Sequence, residues 1–168
     1  ESVVLAVADG AGGTPGGDYA AKIAIESLIS EITTGNGKLL RTSILDGIET
    51  ANKIIRKDVP GAATTIVVVE VNDQTARTYH VGDSGACLVG GRGKIKSYTV
   101  FHSPTGYAVE SGLINETQAI QHEDRYLVSN ILGTPDMSIE IGSPVDLAPR
   151  DTIVVASDGL FDNLYFHE

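Results

Sequence analysis

The sequence predicts an α+β domain in which two consecutive helices precede a run of antiparallel strands. Three observations carry this. Ala21, Ile25, Leu28, Ile29 and Ile32, then Leu40, Ile44, Leu45, Ile48, Ala51 and Ile55, recur at helical spacing, with only a turn between the two sets. After Pro60-Gly61 the apolar pattern changes to short strands separated by turns. Helices and strands are thus segregated, which is layering rather than the alternation that builds a parallel sheet.

In order along the chain, Ser2 to Ala8 is a near-continuous β-branched, apolar run, expected to be a strand buried on both faces. A glycine-rich turn leads into a helix over Asp18 to Ile32. "TTGNGK" ends it by turn chemistry, and a second helix is expected over Leu39 to Lys57. "TTIVVVEV", "TARTYHV", "GACLVG" and "KIKSYTV" read as four strands of an antiparallel meander, with Asn72-Asp73 and "GGRG" as turns. From His102 to Gly133 the pattern is helical, including "RYLVSNIL". "SIEIG" and "DTIVVAS" return to strands, and "GLFDNLYFHE" starts another helix.

Composition narrows the function. The chain has 168 residues, 42% of them hydrophobic and 20% charged, which suits one globular domain with a real core. Its net charge of −10 argues against nucleic acid or an anionic membrane as partner, since both need clustered Lys and Arg. Apolar runs fall far short of the roughly 20 residues of a membrane helix. One cysteine, Cys87, rules out an internal disulfide and leads us to expect an intracellular, cytoplasmic setting. Cys87 has no histidine near it in sequence, which disfavours cysteine-based catalysis. The chain starts at Glu1 and stops in "FDNLYFHE", as a piece of a longer protein would.

The stretch "VVLAVADGAGGTPGGDYAAKIAIESL" poses the functional question. A glycine turn between strand and helix can cradle a phosphate, but neither G-x-G-x-x-G nor a Gly-Lys-Ser/Thr ending occurs here. That excludes a dinucleotide-binding oxidoreductase and leaves only a weaker anion nest over Gly12 to Gly17. The aspartate is the better clue. Asp9 in Ala8-Asp9-Gly10, Asp83 in "HVGDSG" and Asp158 in Ser157-Asp158-Gly159 each follow an apolar strand. Each could be a turn residue. If strand ends bring them together, their carboxylates repel unless a hard divalent cation neutralises them.

These residues carry a resemblance. "AVADGAGGTPGGDYAA" looks like the Asp-Gly-x-Gly-Gly motif of the protein phosphatase 2C family of metal-dependent Ser/Thr phosphatases. "PGAATTIVVVEV", "YHVGDSGACLV" and "IVVASDGLFDNL" resemble its later motifs, and "AVESGLINETQAIQHEDRYLVSNILG" is similar to the flap region of bacterial-type members. The motifs occur in family order over nearly the whole chain. The resemblance implies an antiparallel β-sandwich flanked by helices in four αββα layers, and a site for two Mn²⁺ or Mg²⁺ ions. A third, weaker ion site occurs in some members. Asp9 would bridge two ions, the Gly10 carbonyl would face one, and Asp158 would bind the other. Asp83 and Asp162 would serve the third. The implied reaction is attack on phosphoserine or phosphothreonine of a phosphoprotein by a metal-activated water, with Asp9 and Asp158 acting through that water.

Residues 1–168 would form one such domain, truncated at both ends and expected to be a monomer, with a substrate flap over about 101–124 that includes His102, Ser103 and Gly106. The family's first acidic ligand, its phosphate-gripping arginine and its last metal aspartate fall outside this sequence. Ala11 and Thr14 stand where many members have histidine, and Gly85 replaces a common arginine. These departures keep a second reading open, an inactive phosphatase-like binding module. His80, His102, His122 and His167 show no metal-ligand spacing and read as core or surface residues.

Overall fold

The computed structural model describes residues 2–13, 15–35 and 37–163. In chain order the elements are β1 (Ser2–Val7), α1 (Gly17–Thr34), α2 (Leu40–Asp58), β2 (Ile66–Asn72), β3 (Thr75–Val81), β4 (Gly85–Val89) and β5 (Ile95–Tyr98). The insert holds α3 (Pro104–Glu110), α4 (Glu116–Ile120) and a 3₁₀ turn (Glu123–Tyr126). Then come β6 (Glu140–Ile141), β7 (Val145–Asp146), β8 (Thr152–Ala156) and α5 (Asp158–Phe161).

The strands form two sheets. One has the order β1-β2-β3-β6, with β7 also on β3, and the other the order β5-β4-β8. Strand alternation explains why they stack. On β2, Ile66 and Val68 face the helix pair α1–α2, while Val67 and Val69 face the second sheet. Both faces are buried over Ile66 to Val69, so the first half of β2 reads as an unbroken apolar run. Ile23 and Leu28 of α1 and Ile44, Ile48 and Ile55 of α2 fill the helix-facing layer. Each such side chain stabilises the fold by about 1.5–3 kcal/mol. Ala86 and Leu88 of β4, with Ile153 and Val155 of β8, close the layer between the sheets.

Three sequence expectations are corrected. The four strands are not one meander: β3 and β4 lie in different sheets, and the chain crosses between them at Gly82-Asp83-Ser84. β1 is not buried on both faces. It pairs with β2 alone among the described residues and lies at the sheet edge, leaving Val3 49% exposed. "RYLVSNIL" is not a helix beyond Tyr126. Leu132 exchanges two backbone hydrogen bonds with Thr64, at 3.2 and 3.0 Å, and is fully buried, so strand-like pairing outweighs the local helical pattern. The last five residues of "GLFDNLYFHE" lie outside the described residues.

The two long helices lie close together at Gly47, where a built Cβ would stand 2.9 Å from the Leu28 Cα. Gly47→Ala in a helix ordinarily adds about 1 kcal/mol of stability. Here we expect a loss of about 1–3 kcal/mol from overpacking, read as a lower urea midpoint. A midpoint at or above wild type would show that the helices are free to separate.

Candidate metal centre

Strand register places the aspartates. In the first sheet Val7 pairs with Val67 and Ile66 with Val81. Continued past the strand ends, that register sets Asp9 beside Thr65 and Thr65 beside Gly82. In the second sheet Gly85 pairs with Ala156, so two residues further on each strand Asp83 stands opposite Asp158. The crossing from β3 to β4 thus joins the two rows, and all the strand ends open on one edge of the sandwich.

Hydrogen bonds hold this edge. The Asp9 carbonyl accepts from the Thr65 N–H at 2.9 Å and the Thr64 hydroxyl at 2.8 Å. The Thr65 and Ser84 hydroxyls meet at 2.6 Å in the buried interior, which ties β2 to the crossing turn. Gly82 has φ of 106°, and a Cβ there would press on the Thr65 side chain at 2.6 Å. The glycine-rich turn after Asp9 serves close approach. Gly10 and Gly17 cross with no room for a side chain on either, which seats the Asp9 turn against the start of α1.

At this edge the carboxylates act on one another through their charges. The Asp83 carboxyl is pushed up to about 6, first by burial, then by the charge of Asp158 and, more weakly, by Asp162 and Asp9. Asp158 is raised by burial, by the charge of Asp9 and by a hydrogen bond with it. Asp162 is raised by burial and by Asp158, with Arg125 pulling the other way. Such an all-oxygen donor set, crowded and partly buried, suits a hard divalent cation.

The family profile described as Protein phosphatase 2C matches residues 1–168. The chain belongs to the protein phosphatase 2C family. It is 29% identical over 170 residues to a putative protein phosphatase 2C-type of Streptococcus pyogenes, covering 94% of this chain and 67% of that protein. It superposes on the Streptococcus agalactiae serine/threonine phosphatase with a TM-score of 0.80 at 26% identity, covering 99% of this chain and 72% of that one. The PstP catalytic domain, in complex with 2 manganese ions, shares the fold with a TM-score of 0.78 at 23% identity, over 96% and 69% of the two chains. The chain thus spans about two thirds of the length of the bacterial relatives it matches. As a protein phosphatase 2C chain it is part of a metal-dependent protein Ser/Thr phosphatase. No described helix is long and apolar enough to cross a membrane.

Within this phosphatase fold the three flap residues divide. Ser103 and Gly106 line a cavity beside Asp83 and Asp162, and the Ser103 hydroxyl caps α3 by accepting from the Gly106 N–H at 2.9 Å. His102 is buried and turns inward. Its Nδ1 accepts from the Gly82 N–H at 3.1 Å and from Asn130 Nδ2 at 2.9 Å, and its Nε2 meets Glu140 Oε2 at 3.0 Å. His102 therefore clamps the insert to the crossing turn. Its ring stacks on His80 at 4.3 Å, and the possible ligand atoms of His80, His102 and Glu140 lie within 4.8 Å of one another. Both His102 nitrogens already have protein partners, and stacked rings aim their lone pairs past each other. We read this trio as a structural clamp. Sequence spacing gave no sign of it, because the three residues come from separate segments.

Asp83 sets a pH dependence in the metal-free protein. Its carboxyl has an ordinary value of 3.8 and a folded value of about 6. Between these the native state keeps a proton that the unfolded chain has lost, so its contribution to stability falls as pH rises through about 6. Without divalent cations, wild type should lose on the order of 2 kcal/mol relative to Asp83→Asn between pH 4 and pH 7, measured by urea unfolding. A pH-independent difference would show that Asp83 is not crowded.

Proposed function

We propose that this chain supplies the inner acids of a two-ion Mn²⁺ or Mg²⁺ site that removes phosphate from phosphoserine and phosphothreonine in proteins. The observation that supports it is the convergence of Asp9, Asp83, Asp158 and Asp162 at one edge of the sandwich. In this reading Asp9, the Gly10 carbonyl and Asp158 would hold the two ions, and Asp83 and Asp162 would serve a weaker third. When bound, the ions lower the pKa of water and neutralise charge on the phosphoryl oxygens.

The chain's own residues prepare that site. Thr64 and Thr65 grip the Asp9 backbone, so the strand end that carries this carboxylate is fixed by the fold itself. Partial burial of Asp83, Asp158 and Asp162 raises the electrostatic cost of their charges, which a cation relieves. Residues 1–168 form one domain in this reading, and the segment at about 101–124 is the flap beside the substrate. The substrate is a cytoplasmic phosphoprotein, and neither nucleic acid nor membrane is a partner.

The test is Mn²⁺-dependent release of phosphate from a phosphothreonine peptide by the full-length protein. Asp9→Asn and Asp158→Asn should each lower kcat/KM by at least about 100-fold. Turnover that ignores both substitutions, or that persists with a chelator, would refute these roles. No turnover together with no Mn²⁺ binding would establish the binding-module reading.

A further inference from the structure

Beside the acid cluster lies a cavity of about 80 Å³ between the insert, β5 and α5. Phe101, Val109, Ile120 and Phe161 give it an apolar interior. Phe101 and Phe161 pack with ring centroids 5.3 Å apart and fix one wall. Asp83 and Asp162 belong both to this lining and to the carboxylate cluster, so the cavity adjoins the candidate metal centre on the side of these two acids. Glu110 and Glu116 also line it. The Tyr98 hydroxyl donates to Glu110 at 3.3 Å, which holds that carboxylate at the cavity. Arg125, the one cation among the lining residues, lies with its guanidinium 4.1 Å over the Tyr126 ring and counters the charge of Asp162.

The walls select for chemistry. An apolar interior gains from removing an aliphatic side chain from water. Carboxylates in the lining reject an anion and favour a cation. Because the cavity adjoins the acid cluster, its occupant would be continuous with a molecule reacting there. We propose that this cavity is the subsite for an aliphatic side chain flanking the phosphorylated residue of a phosphoprotein, and that a Lys or Arg neighbouring that side chain pairs with Glu110 and Glu116. This rests on the phosphatase reading. It adds a sequence preference, for phosphosites with an aliphatic residue and a basic residue close by.

The test uses the full-length protein with Mn²⁺ and a set of phosphothreonine peptides. A leucine is walked through the flanking positions of an alanine background, with or without an adjacent lysine. One position should raise kcat/KM about 10-fold over alanine, the scale at which an apolar pocket discriminates. Ala119→Phe, which fills the cavity, should collapse that ratio to near one, and Val109→Ala should shift the preference from leucine to phenylalanine. Glu110→Gln with Glu116→Gln should remove the gain from lysine. Equal rates for all peptides, or a leucine preference that survives both cavity variants, would overturn the subsite. If neither the peptides nor p-nitrophenyl phosphate is hydrolysed, the phosphatase reading falls by itself. The subsite is then decided by fluorescence anisotropy of the labelled peptides, where tighter binding of the leucine peptide supports it and equal Kd values overturn it.

Discussion

Thr65 donates its backbone N–H to the carbonyl of Asp9 while its hydroxyl meets that of Ser84. One residue at the entrance to β2 therefore ties the end of β1 to the start of β4. These groups are largely buried, and an unmatched hydroxyl or amide there would cost about 1–3 kcal/mol. Each hydrogen bond is met by another strand end, so the edge carrying the acids is ordered as a unit. The glycines follow from the same constraint. Gly82 must leave room for the Thr65 side chain, and Gly10 and Gly17 must let two backbones pass.

The carboxylates oppose the scaffold that holds them. Asp83 and Asp158 face each other because Gly85 pairs with Ala156, and charge repulsion alone would push the two strand ends apart. What keeps them in place is remote from them: the apolar layer between the sheets and the helix pair packed on β2. Stability is concentrated in the middle of the sandwich and spent at its edge, an arrangement that leaves a cation something to relieve.

The insert shows a second division of labour. His102 and Ser103 anchor it, one through the crossing turn and Glu140, the other as the cap of α3. Ser103 also lines the cavity beside the acids, together with Gly106, Val109 and Ile120. The anchored part of the insert thus touches the same turn that carries Asp83, and its apolar part shapes the space alongside. Position relative to Asp83 is set by the first, and the character of the neighbouring cavity by the second.

Much was legible in the chain alone. Local periodicity defined α1 and α2, and turn chemistry bounded β2 and β3, because these elements bury continuous faces whose spacing is written in neighbouring residues. The acids could be picked out as residues that end apolar strands, and the order of motifs pointed to the family. Tertiary structure decided the rest. Whether β4 continues the sheet of β3 depends on which face Ala86 and Leu88 bury, and no local pattern states that. Leu132 leaves a helical pattern because a partner 68 residues earlier, Thr64, takes its backbone hydrogen bonds. His80, His102 and Glu140 meet only because three separate segments pack together. Spacing along a chain encodes what one element presents, whereas the meeting of elements is set by long-range pairing and burial, which appear only once the chain has closed on itself.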